Sequence, residues 1–277
     1  YGVKFILSDA RTKITRYPNP TNTLDKYQAG QMMGDIYGYE TIGIAKSKDE
    51  MDQHLASLPN GGQNALGTNW DAGDIMYKDL NGDGKIDNGG NKYDDMGDMK
   101  KIGNNTPRYL FGLDLNADYK GFDFRAFFQG VMKRDYWQGS AYFWGATSLW
   151  HSTGFVEHAD YFRAEASNDL PANLNAYYPR PVFDSSKNRQ RQTAYLQNAA
   201  YIRLKNVQLG YTLPANLTHK FYVSKLRIFV SGENLWTGTS LANMFDPETI
   251  GGGDDTDKNG NAYPLSKTIS FGISVTL

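Results

Sequence analysis

The last eleven residues, Lys267 to Leu277, alternate strictly. Ile269, Phe271, Ile273, Val275 and Leu277 share one parity; Thr268, Ser270, Gly272, Ser274 and Thr276 share the other. A period of two places the two sets on opposite faces of one strand. The second set is small, polar and uncharged, which suits a strand with one face in lipid and the other toward a wet lumen. Five further segments repeat the pattern. Tyr109, Phe111, Leu113, Leu115, Ala117 and Tyr119 oppose Gly112, Asp114, Asn116 and Asp118. After the two-residue turn Lys120-Gly121, a tight hairpin signal, Phe122, Phe124, Ala126 and Phe128 oppose Asp123, Arg125 and Gln129. Between Tyr222 and Trp236, the apolar set Tyr222, Leu226, Ile228, Val230 and Trp236 opposes Lys225, Arg227, Ser231 and Glu233. In Tyr201 to Leu213, Val207, Leu209, Tyr211 and Leu213 form one face while Ile202 and Leu204 fall on the other parity, which predicts a bulge near Lys205-Asn206. The opening Val3, Phe5 and Leu7 oppose Lys4 and Ser8.

The pattern predicts an all-β chain: an antiparallel transmembrane β-barrel wall of about six strands. The connections alternate too. Lys120-Gly121 and Pro214 to Phe221 are short, whereas 48–105, 135–200 and 237–266 are long, polar and rich in Gly, Asn and Asp. In outer-membrane barrels short turns face the periplasm and long loops face outside. That rule orients every strand and puts the carboxyl terminus in the periplasm. Tyr119, Phe122 and Tyr222 should then mark the periplasmic edge, with Tyr109 and Trp236 at the outer one. Asp114, Asp118, Arg125, Lys225, Arg227 and Glu233 on the second face ask for a wide aqueous lumen, so residues 1–277 read as the carboxy-terminal wall of a larger barrel. Asp114, Arg125, Arg227 and Glu233 should each meet an opposite charge there, since a lone charge beside a low-dielectric wall is costly.

Composition narrows the picture. Net charge is −1 and the pI is near 6.5, so no global field recruits nucleic acid. The absence of cysteine removes disulfides, thiolate metal sites and a cysteine nucleophile. Mean hydropathy is −0.59, and no run of 18 apolar residues exists, which excludes membrane helices and leaves barrels open.

Candidate chemistry is confined to the long connections. Asp79-Leu-Asn81-Gly-Asp83-Gly84-Lys85-Ile86-Asp87 follows the first nine positions of an EF-hand loop: oxygen ligands at Asp79, Asn81 and Asp83, a turn glycine, the Lys85 carbonyl, and Asp87 at the ninth. Calcium or magnesium is the expected ion, stiffening an outer loop. The twelfth position is Gly90, so a bidentate ligand would have to come from Asp94 or Asp95. The histidines, His54, His151, His158 and His219, lack metal-site spacing, although His151 and His158 share a loop with Glu157 and Asp160. There is no GxSxG motif, and Gly251-Gly-Gly253 is not followed by a phosphate-binding helix, so no enzyme is expected. The 135–200 segment is dense in aromatics. Most should form a local core, with Trp137, Trp144 and Trp150 as candidates for contact with substrate or a covering partner.

Several phrases resemble the SusC/RagA-like TonB-linked outer-membrane transporters: DIYGYETIGIA, DAGDIMYKDLNGDGKID (Asp71 to Asp87), IGNNTPRYLFGLDLNADYKGFDF, AYIRLKNVQLGYTLP (Ala200 to Pro214), LRIFVSGENLW (Leu226 to Trp236), FDPE (Phe245 to Glu248) and the terminal strand. Two features depart from that family: the chain ends in Leu277 rather than an aromatic residue, and NGGNKYDDMGD after Asp87 is long. The resemblance implies the last quarter of a 22-stranded barrel in the outer membrane. It implies a SusD-like surface lipoprotein over the mouth, TonB acting through an amino-terminal region outside this chain, and import of oligosaccharides or peptides. The alternative is a soluble secreted β-sandwich that binds carbohydrate and holds structural calcium. The two differ in where the apolar faces go: exposed as a band in the barrel, buried between two sheets in the sandwich.

Overall fold

The structure, a computed structural model, describes residues 1–145, 147–148, 150, 154–167, 169–251 and 262–277. The elements run β1 (Gly2–Ser8), β2 (Asp35–Tyr39), β3 (Thr41–Ile44), α1 (Lys48–Ala56), β4 (Ile75–Tyr77), β5 (Met99–Asn104), β6 (Arg108–Tyr119), β7 (Phe122–Lys133), β8 (Asp135–Trp137), α2 (Ala141–Trp144), β9 (Leu196–Asn198), β10 (Tyr201–Thr212), α3 (Ala215–Thr218), β11 (Lys225–Thr239) and β12 (Thr268–Thr276). The six strands expected from the alternation form one antiparallel sheet in the order β1-β6-β7-β10-β11-β12, open at β1 and β12. Lys120 and Gly121 both take positive φ, as a two-residue hairpin turn demands. The predicted bulge is present: pairing on both sides of β10 shifts between Leu204 and Asn206. It moves Ile202 and Leu204 onto the face of Leu209, so one apolar surface continues through the break.

The buried core lies elsewhere, in the connections at the long-loop end. Met51 of α1, all three residues of β4, Trp70 and Ile86 pack with Tyr136, Trp137, Phe143, Trp144, Tyr178, Tyr195, Leu241 and Phe245. Three two-stranded sheets, β2-β5, β3-β4 and β8-β9, frame this unit. The long connections are therefore folded structure, not solvated loops. Their limits move as well: β1 and β6 are joined by 9–107, and β11 continues to Thr239.

Asp74 holds this outer unit together. It is fully buried. Its Oδ1 accepts from Arg180 Nε and Asn188 Nδ2, both at 2.8 Å. Its Oδ2 accepts from Arg180 Nη2 and Lys187 Nζ, both at 2.8 Å, and from the Asp71 amide at 2.9 Å. Lys187 also donates to the Thr68 and Asn69 carbonyls and lies over the Trp70 ring. Asn188 Oδ1 takes the Ile75 amide, and Tyr77 Oη donates to the Lys187 carbonyl at 2.6 Å. Segments more than 100 residues apart are thus locked by one carboxylate. Burial pushes the Asp74 pKa up, but the hydrogen bonds from Arg180, Lys187 and Asn188 outweigh it and hold it below the ordinary carboxylate value.

A depressed pKa contributes stability that is present above the unfolded value of about 4 and is lost as pH falls through the folded one. Melting of the outer unit, followed from about pH 6 to about pH 3, should therefore fall at the acid end. Asp74→Asn, which strands two cations, should cost about 3–5 kcal/mol at neutral pH and flatten that acid limb. A variant as stable as the parent at neutral pH would show that the cluster does not hold the unit.

Candidate functional site

The sheet has two unlike faces. On one, Val3, Phe5 and Leu7 of β1 continue into Leu113, Phe124, Phe128, Leu209, Ile228, Val230, Phe271 and Ile273 of its neighbours. None of these enters the buried core. Phe271 is 84% exposed, and Phe5, Phe124, Ile228 and Ile273 are exposed with it. No second sheet among the described residues covers them, which removes the sandwich arrangement. Tyr119, Phe122 and Tyr222 crowd the short-turn end, Tyr222 in the connection ahead of β11 rather than within the strand. Tyr109 and Trp236 are exposed toward the other end. A surface of this size stays out of water only if another apolar phase meets it, and the aromatic margins match the two interfaces of a bilayer.

The opposite face is polar and paired. Arg125 grips Asp114 on β6 with both Nε (3.1 Å) and Nη2 (2.6 Å). Arg227 of β11 donates to Asp123 of β7, reaching across β10. It does so over Gly210, where any Cβ would collide with the Arg227 guanidinium and the Asp123 carboxylate. Bidentate arginine–carboxylate pairs are the strong kind. The expectation fails for Glu233, which has no ion-pair partner among the described residues: its neighbours in register are Asn206 and Thr268, both neutral.

The Asp79 loop is well ordered by its own bonds. Asp79 accepts from the Gly82 and Gly84 amides (2.6 and 2.9 Å), Asn81 Oδ1 from the Asp83 amide (3.0 Å) and Asp83 Oδ1 from the Lys85 amide (3.2 Å). Lys85 Nζ lies 2.6 Å from Asp87 and 3.9 Å from Asp83. Asp94 accepts from Asn22, whereas Asp95 accepts from the amide of Gly90, the twelfth position, and so lies at the end of the loop. A second carboxylate beneath the loop is Asp98. Fully buried, it accepts from the Leu80 and Asp87 amides, and burial raises its pKa despite those bonds. Asp98 lies eleven residues beyond Asp87, outside any loop template. Among the described residues no three acidic or histidine side chains gather around one point.

The histidines hold their own loops. His158 Nδ1 accepts from the Phe155 amide, leaving Nε2 to donate toward the Tyr142 and Phe143 carbonyls. His54 meets Gln63. His151 lies outside the described residues, as do Gly252 and Gly253. Trp137 and Trp144 are buried in the core with ring centroids 5.9 Å apart, and Trp144 also borders a cavity of about 340 Å³ beside Phe155, His158 and Tyr178. Trp150 is 93% exposed.

No family model matches the chain. Among curated proteins it is 28% identical over 253 residues to TonB-dependent receptor P3 and 26% identical over 260 residues to TonB-dependent receptor P26, both of Formosa agariphila. Each match covers 89% of this chain and 22% or 23% of the relative, so the chain spans under a quarter of their length. Among solved structures, 99% of the chain superposes on 26% of a chain of the RagAB peptide transporter, with TM-score 0.61 and 20% identity. The RagAB peptide importer in its closed-closed state gives TM-score 0.57. The sheet and its outer unit thus share the fold of a segment of those transporters.

The two faces make opposite demands on a single strand. In the full-length protein folded into vesicles, Phe271→Arg should lose about 2–4 kcal/mol of folding free energy, as an arginine near the bilayer midplane does. Ser270→Arg, its neighbour on the polar face, should lose far less. Equal losses in urea titration would contradict the assignment of faces.

Proposed function

We propose that this chain, part of a TonB-dependent receptor of the outer membrane, builds one sector of an importer's barrel wall together with the folded unit over its outer mouth. The exposed apolar face, backed by a polar face with charges in pairs, is the observation that carries this reading: it is a wall between lipid and water. In the whole protein the two free edges, β1 and β12, continue into further strands, and a 22-strand closure leaves a lumen wide enough for a hydrated solute. The imported solute is an oligosaccharide or a peptide. A SusD-like surface lipoprotein closes over the outer unit, and TonB acts through a part of the protein other than these 277 residues. Similarity to TonB-dependent receptors and to a segment of the RagAB transporter supports a place in outer-membrane import.

Uptake tests it directly. Cells carrying the full-length protein should accumulate a labelled oligosaccharide or peptide mixture only with an intact TonB. The surface lipoprotein encoded with it should co-purify. Accumulation independent of TonB would make the protein a passive pore and refute the reading.

A divalent cation in the Asp79 loop belongs to the same proposal. Calcium would draw on Asp79, Asn81, Asp83 and the Lys85 carbonyl at about 2.3–2.6 Å, with Asp87 at the ninth position. Gly84 already takes the left-handed turn at position six, and Lys85 bridges to Gly62. The Lys85 ammonium would have to leave Asp83 and Asp87, since it now supplies the positive charge. Metal and loop order should be coupled: chelator should speed protease nicking at 79–95, and calcium should reverse it. Nicking indifferent to both would mean that Lys85 and the loop amides are sufficient.

A further inference from the structure

A cavity of about 380 Å³ opens where the sheet's polar face meets the outer unit. Its apolar side includes Ile102, and four cations line it: Arg11, Lys101, Arg108 and Lys133. That concentration is unusual in a chain of net charge −1. Arg108 and Lys133 stand directly opposite each other in the β6–β7 register, on the same face as Asp114 and Arg125. Like charges so placed repel unless something lies between them. Asp9 takes Arg108, and Asp35 takes Lys101 at 2.6 Å. Asp135, the acid lining the cavity, accepts the Asn104 amide at 2.9 Å. Neither Arg11 nor Lys133 has an ion-pair partner among the described residues. Both are exposed, at the edge of a concavity where low-dielectric walls focus their field.

We propose that this cavity receives an oxyanion group of the imported solute, a carboxylate, sulfate or phosphate ester, with Lys133 as the principal cation and Arg11 beside it. The proposal rests on the import reading and gives the solute a charge. Register argues for a solute in the lumen over a lipid headgroup, because Lys133 and Arg108 share the parity of the polar face, not of the band that meets lipid.

Site-resolved lysine acetylation of the full-length protein in neutral detergent tests this, with inorganic sulfate as probe and chloride at matched ionic strength as reference. Sulfate should slow acetylation of Lys133 severalfold, while Lys120 and Lys225, at the short-turn end, change no more than in chloride. Arg11→Gln should weaken the protection. Lys133 slowed no more than Lys120 would overturn the proposal. So would protection by anionic lipid micelles without protection by sulfate, which would assign the site to lipid. TonB-dependent uptake measured on the same protein separates the two readings. Normal uptake without protection removes the anion site alone; protection without TonB-dependent uptake keeps the anion site and removes its role in import.

Discussion

Everything in the sheet follows from one constraint: each strand must satisfy its backbone sideways while its two faces meet different phases. Hydrogen bonding to neighbours on both sides leaves no polar backbone toward lipid, which is why a closed sheet can cross a bilayer and a loop cannot. The same constraint fixes register, because a slip by one residue would turn Phe271 into the lumen and Ser270 into lipid. The bulge at Lys205 shows how strictly this is obeyed. The parity of β10 fails in the sequence, and the pairing shifts at that point so that the outer surface stays apolar.

Inside the wall, small residues decide which charges can meet. Arg227 and Asp123 belong to strands that are not neighbours, and they touch only because Gly210 between them has no side chain. On the same face Gly272 lies under the Phe229 ring, and the Arg227 guanidinium sits 4.7 Å from that ring's centre. Arginine is thus held by a carboxylate on one side and an aromatic face on the other, in a plane that only glycines leave clear. Such an arrangement fixes charge on a partly exposed face, so part of the desolvation penalty of an interior ion pair is avoided.

The six strands, the hairpin turn, the bulge and the division of faces were all legible in the sequence, because a strand is the one regular element whose side chains repeat every two residues. The outer unit was not. Ile75, Met76 and Tyr77 are buried on every side, so they show no alternation, and three residues are too few to declare a strand. The density of aromatics between Tyr136 and Tyr195 announced a core there, but nothing local distinguishes Trp144, which is inside, from Trp150, which is outside. Asp74 and Lys187 are 113 residues apart, and their pairing has no sequence signature at all. The Asp79 loop was visible as a pattern, whereas Asp98 beneath it was not, because it lies beyond the template.

The two halves of the chain are therefore held by different physics. The sheet relies on lateral hydrogen bonds and on an apolar phase supplied from outside. The outer unit folds as a water-soluble domain does, around its own buried aromatics and the buried carboxylates of Asp74 and Asp98. They are joined through few polar contacts. Arg203, buried on β10, reaches Asp246 at 2.8 Å, and Lys205 reaches Glu248 at 2.9 Å; Arg134, at the end of β7, donates to the Asn105 and Gly251 carbonyls. Arg203 and Lys205, two residues apart and so on one side of β10, both reach the Phe245 to Glu248 phrase. The strand whose bulge keeps the lipid face continuous thus also anchors the cap to the wall, because its polar side carries the cations that grip Asp246 and Glu248.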